Sequence, residues 1–125
     1  MPDYNSEFFE PPAPIAFVTL RNLENHVEVG NVPMLLDTGA DATLIPQIFA
    51  EKLGLRLSDA PQFELEAFDK TTSHSAVVQL QMIFEERNFR GEFLLIDQDY
   101  GIIGRNILNQ LNVRFDGKKY AWKIL

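Results

Sequence analysis

Two stretches in the middle of the chain repeat their apolar residues with a period of two, which commits most of the polypeptide to β-structure. Phe63, Leu65 and Ala67 alternate with Glu64, Glu66 and Phe68; Val78, Leu80, Met82 and Phe84 alternate with Gln79, Gln81 and Ile83. With the polar centre at 69–75 between them, they read as the arms of one long hairpin. Residues 15–20 and 26–29 are further β-rich segments joined by a polar turn at 22–25, and 32–36 is another short apolar run. Residues 89–96 read as a strand buried on both faces near its end. Asp116-Gly117 reads as the turn of a last hairpin, in which Tyr120, Trp122 and Ile124 alternate. Only two short helices fit. The first covers 46–53, with Pro46 at its first position and Gly54 just past its end; the second covers 104–111, with Ile107, Leu108 and Leu111 on one face.

At 125 residues the chain is long enough for one domain with its own core. Residues 1–14 hold Pro2, Pro11, Pro12 and Pro14, four of the seven prolines, and read as an extended arm ahead of a domain at 15–125. The absence of Cys excludes disulfides, thiolate chemistry and zinc ribbons. Eighteen Asp and Glu against eleven Lys and Arg give a net charge of −7, a field that repels nucleic acid and anionic membranes. The start Met1-Pro2-Asp3-Tyr4 is unlike a signal peptide and the apolar runs are too short to span a bilayer, so a soluble, cytoplasmic protein is expected.

Two segments carry the chemistry. Leu35-Leu36-Asp37-Thr38-Gly39-Ala40-Asp41-Ala42-Thr43 is an apolar strand that ends by presenting a carboxylate in a turn. Gly101-Ile102-Ile103-Gly104-Arg105-Asn106 is an apolar strand that ends in Gly ahead of a helix. Asp-Thr-Gly alone is a plain turn, expected by chance in about one chain in forty of this length. The apolar strand before it and the partner segment after it make the pair far more specific.

The two segments resemble those of the retropepsins, the single-lobe, homodimeric aspartic proteases of retroviruses and their cellular relatives. The resemblance runs from about residue 15 to the end of the chain. The helix after Asp-Thr-Gly and the C-terminal ending look more like the cellular, including bacterial, members. It implies a mostly β fold: a closed β-barrel, the single lobe of an acid protease, with two short helices. It also implies that Asp37 is the catalytic aspartate, that Thr38 interlocks with the partner's active-site loop, and that Gly39 hydrogen-bonds the substrate backbone with Asp41 nearby. Ala40, Thr43 and Asn106 would support the loop, and Arg105 would pair with Asp41. Ala42, Ile102 and Ile103 would line side-chain pockets. Phe68, Asp69, Lys70, Thr71, Thr72, Ser73 and His74 would form the flap over the peptide. No metal or other cofactor is implied.

Amide hydrolysis by aspartates needs two carboxylates sharing one proton around a water, and this chain has one Asp-Thr-Gly. The second carboxylate must come from another copy, so activity requires a homodimer acting on a peptide or protein. Two chains at −7 each carry −14 together, so self-repulsion is expected to weaken toward the pI of 4.7. The flap segment departs from the viral pattern in having no Gly at its tip. That departure keeps a second reading open, a retropepsin-like peptide-binding or dimerisation module with little or no proteolysis. His26 and His74 read as surface residues rather than metal ligands.

Overall fold

The computed structural model describes residues 2–55, 62–66 and 72–125, and side chains over 2–55 and 76–125. In chain order its elements are β1 (Tyr4–Asn5), β2 (Ala13–Arg21), β3 (Glu28–Leu36), β4 (Leu44–Pro46), α1 (Gln47–Lys52), β5 (Gln62–Glu66) and β6 (Thr72–Phe84). There follow β7 (Arg87–Ile96), β8 (Gly101–Ile103), α2 (Arg105–Leu108), β9 (Val113–Asp116), a 3₁₀ turn (Gly117–Lys119) and β10 (Ala121–Ile124). The strands pair in the order β2-β3-β8-β4-β7-β6, and β6 returns to pair with β2 through Thr19↔Ile83 and Leu20↔Met82. Six strands therefore close into a barrel, with β1 and β5 on its margins and the β9–β10 hairpin as a separate pair.

The inward face of each strand follows from its alternation. Ala16, Val18 and Leu20 of β2, Val32, Met34 and Leu36 of β3, and Val78, Leu80, Met82 and Phe84 of β6 are all buried and share one core. Ile45, Phe93, Leu95 and Ile103 complete the wall, and Ile107, Leu108 and Trp122 plug it from α2 and β10. Each Val, Leu, Ile, Met or Phe among them contributes about 1.5–3 kcal/mol by leaving water. Trp122 lies with its ring centroid 5.9 Å from that of Phe84 and donates its indole N–H to the Ile15 carbonyl at 3.2 Å. Its polar atom is thereby satisfied inside the core.

Local details differ from the sequence reading, each for a physical reason. Residues 28–29 and 32–36 fall in one strand, because β2 pairs along both, while His26, left-handed at φ 64°, and Val27 belong to the turn before it. A register shift between Val18 and Leu20 is taken up opposite Asn31, at φ 56°. Pro46 is the N-cap of α1 and not its first residue, since pairing with Ile96 holds it extended at ψ 128°. The hairpin expected between 63–67 and 78–84 joins β5 to the first part of β6 instead, from Glu66↔Thr72 to Gln62↔Ala76, while Val77–Phe84 pair with β7. The last hairpin turns through four residues: Asp116 accepts from the Lys119 N–H at 3.3 Å, and Tyr120 is left-handed at φ 50°. Tyr120 is consequently exposed and does not share the buried face of Trp122.

The N-terminal segment lies against the barrel. β1 pairs with the start of β2, the Trp122 N–H donates to the Pro2 carbonyl at 3.0 Å, and the Tyr4 N–H donates to the Tyr120 carbonyl at 2.7 Å. Phe9 packs edge-on against Tyr100 with centroids 4.8 Å apart, and Phe8 lies 6.0 Å from the same ring. Buried Asn22 ties the β2–β3 turn to α1, donating to the Leu53 carbonyl at 2.9 Å and accepting from the Glu24 N–H at 2.8 Å. Among the described residues no helix is long and apolar enough to cross a membrane.

The β6–β7 turn is two residues, Glu85 and Glu86, both left-handed at φ 49° and 67°. Such a turn fits the strand twist but strains side chains other than Asn and Gly. Replacing the pair by Asn-Gly (E85N with E86G) is expected to stabilise the fold by about 1 kcal/mol, a rise in Tm of about 4 °C in thermal unfolding.

Candidate active site

The site is built where β3 runs out. β3 and β8 are parallel neighbours, Leu36 beside Ile103, and the Asp37 N–H continues the ladder by donating to the Ile103 carbonyl at 3.0 Å. The chain then turns sharply. The Gly39 N–H donates to the Asp37 carboxylate at 2.9 Å, and the Ala40 N–H donates to the Asp37 carbonyl at 3.2 Å. Asp37 is half-buried while Thr38 and Gly39 are exposed, so the turn presents its carboxylate outward from a fixed base.

The base is the segment after β8. The Arg105 N–H donates to the Ala40 carbonyl at 2.8 Å, and the Asn106 N–H to the Asp41 carbonyl at 3.3 Å. The buried hydroxyl of Thr43 donates to the Asn106 carboxamide oxygen at 2.8 Å and accepts from the Gly104 N–H at 3.1 Å. A Cβ on Gly104 would collide with the Ala42 carbonyl, so the two segments approach this closely only because position 104 is Gly. Ala42 is half-buried beside it.

Arg105 reaches back to the loop twice. One guanidinium nitrogen donates to the Thr38 carbonyl at 2.9 Å and the other pairs with Asp41. The Asp41 side chain is 88% exposed, so the ion pair lies on the surface and not beneath the loop, and it contributes under about 1 kcal/mol. The bond to the Thr38 carbonyl restrains the turn more directly.

Ile102 and Ile103 do not act alike. Ile103 is fully buried in the barrel core and lines no pocket; consecutive strand residues point to opposite faces, and only Ile102 looks outward. Register shows what joins Ile102 on that outer face: Ile15, Leu35, Ile102, Leu44, Leu94 and Val77 lie side by side across six strands. Leu35, Ile102, Leu44 and Val77 are half-buried. This apolar row was not legible in the sequence, because its members are far apart in the chain and each sits beside an equally apolar core residue. Thr72, Ser73 and His74 of the expected flap lie in β6, opposite Glu66, Leu65 and Glu64. Phe68, Asp69, Lys70 and Thr71 lie outside the described residues.

A barrel of this topology, with Asp-Thr-Gly at the end of one strand and a Gly-Arg-Asn segment bracing it, is the single-lobe fold of the retropepsin-like aspartic proteases. The model of the "gag-polyprotein putative aspartyl protease" family matches residues 24–110, and the chain belongs to that family. Two solved structures share the fold. A retropepsin-like aspartic protease from Rickettsia conorii is 20% identical with a TM-score of 0.62, over 94% of this chain and 92% of that one. The EIAV protease complexed with the inhibitor HBY-793 is 21% identical with a TM-score of 0.58, over 86% of this chain and 91% of that one. No curated protein sequence matches the chain significantly.

The Thr43 hydroxyl serves both a carboxamide and a backbone N–H inside the fold. Thr43→Val is expected to cost about 1–3 kcal/mol by leaving both groups without a partner. Thr43→Ser should retain most of the stability. Chemical denaturation of the two variants checks this, and equal losses in both would assign the effect to packing rather than to the hydroxyl.

Proposed function

We propose that the chain is an aspartic endopeptidase that works as a homodimer, each copy supplying one Asp37. What carries this reading is the braced Asp37 turn: an outward carboxylate on a rigid base, one to a chain. Two copies related by a two-fold axis would bring the Asp37 pair together around one water. Like charges in contact do not both ionise readily, so the pair holds a single proton between them. The ionised carboxylate takes a proton from the water as its oxygen bonds to the scissile carbonyl carbon, and the protonated one donates to the carbonyl oxygen. The tetrahedral intermediate then collapses: the C–N bond breaks as the nitrogen takes the proton that the first carboxylate gained from the water. A hydroxyl of the intermediate gives its proton to the second carboxylate, so that acid and amine leave and the pair again holds one proton.

Thr38 and Gly39 stand on the exposed face of the turn, available to a partner loop and a substrate backbone in the roles the family resemblance gives them. Ala40, Asp41, Thr43, Arg105 and Asn106 hold the turn in place. The apolar row through Leu35, Ile102 and Leu44 supports substrates with hydrophobic residues flanking the scissile bond, the backbone binding as an added strand.

Cleavage of an unbiased peptide library between pH 4 and 8 tests the reading, with the dimer fraction measured alongside. Activity should track dimer, and Asp37→Asn should lower kcat at least a thousandfold while the thermal transition is kept. Full activity in that variant would overturn the assignment. The −14 of two chains gives a second expectation: sedimentation should show tighter dimers at pH 5.5 than at pH 8, and the reverse order would refute the self-repulsion argument.

The Gly-free segment at 68–74 favours a second reading, a peptide-binding or dimerisation module with little proteolysis. A statine-type transition-state mimic separates the two, since only an assembled dyad binds it more tightly than a matched peptide.

A further inference from the structure

Where β7 runs past helix α2, a groove of about 290 Å³ lies between them. We infer that this groove is a binding site for a second segment of extended polypeptide, which adds to β7 as a strand. The inference goes beyond the proposed protease function and does not depend on it.

The directions of the backbone groups follow from the β6–β7 turn. Phe84 and Arg87 flank a two-residue turn, so they exchange both of their backbone hydrogen bonds. Antiparallel alternation then turns Phe89, Gly91 and Phe93 toward β6, and turns the N–H and C=O of Asn88, Arg90 and Glu92 away from it. Leu94 is next in the outward series, and its N–H donates to the Thr43 carbonyl at 3.3 Å, where β4 begins to pair. The same edge thus already takes one strand over Leu94–Ile96. Among the described residues no strand pairs with it from Asn88 to Glu92.

Three further observations identify the occupant as polypeptide backbone. A donor and an acceptor recur at every second residue, a spacing that an extended chain matches and a small anion or cation does not. The side chains along the edge include Arg90 and Glu92, which cancel in charge and select for a neutral ligand. Gly91, in the middle of the edge, carries no side chain and has open space where a Cβ would stand, so that residue does nothing to shield the edge. Across the groove Gln110 donates to the Asn106 carbonyl at 2.9 Å, and the Asn106 side chain accepts from Thr43. A peptide seated here lies against Asn106, itself part of the brace of the Asp37 turn.

The test uses ¹⁵N-labelled full-length protein carrying Asp37→Asn, so that no peptide is consumed. It is titrated with acetyl-Lys-Thr-Val-Thr-Val-Thr-Glu-amide, which carries no net charge. The expected result is saturable shift changes at the amides of Asn88, Arg90 and Glu92. Hydrogen exchange at those amides should slow at least tenfold, with exchange at Phe89 and Gly91 unchanged. Glu92→Pro removes one outward N–H without breaking a β6–β7 bond and should weaken binding at least tenfold. Absence of saturable change at the three amides up to millimolar peptide would overturn the proposal. So would changes confined to residues 35–43 and 101–103, or undiminished binding by a folded Glu92→Pro protein.

Discussion

The Thr43 hydroxyl is the point on which the arrangement around Asp37 depends. It sits inside the barrel wall, donates to Asn106 and accepts from Gly104, and so joins the end of one loop to the start of a helix 61 residues later. Buried polar groups are costly unless paired, and here the pairing is also the device that sets the loop. With Thr43 held, the Ala40 and Asp41 carbonyls fall opposite the N–H groups of Arg105 and Asn106. The Asp37 turn then has no freedom to drift, and a carboxylate can be presented outward without a long side chain to position it.

The barrel explains why so short a loop can be so well supported. β8 is three residues long, yet it lies between β3 on one side and β4 on the other, parallel to the first and antiparallel to the second. It brings the two chemistry-bearing segments into one plane of the sheet. It also sorts their side chains by face: Leu36 and Ile103 go to the core, and Leu35 and Ile102 to the outer surface beside the turn. A rigid inner face and a receptive outer face are therefore two consequences of one register.

Charge and the N-terminal segment belong to the same account. Asp3, Glu7 and Glu10 make that segment acidic, whereas Arg114, Lys118, Lys119 and Lys123 make the C-terminal hairpin basic, and residues 2–4 lie along β10 of that hairpin. The net charge of −7 is thus unevenly spread. Backbone hydrogen bonds from Trp122 to Pro2 and from Tyr4 to Tyr120 fasten the segment, and Phe9 against Tyr100 anchors its loop.

What the sequence determined by itself was local: the period of two that makes strands, the Gly that ends α1, and the Asp-Thr-Gly and Gly-Arg-Asn segments whose chemistry needs no context to be noticed. These are legible because steric and hydrophobic preferences act over a few neighbouring residues. Tertiary structure decided the rest. It buried Ile103 and exposed Ile102, although the sequence treats them alike. It left Asp41 almost fully in solvent beside Arg105, turned Tyr120 out of its strand, and aligned Leu35, Ile102 and Leu44 from three separate strands. Each of these depends on which strands become neighbours and in what register, and register is fixed by contacts between residues many positions apart that no local pattern records.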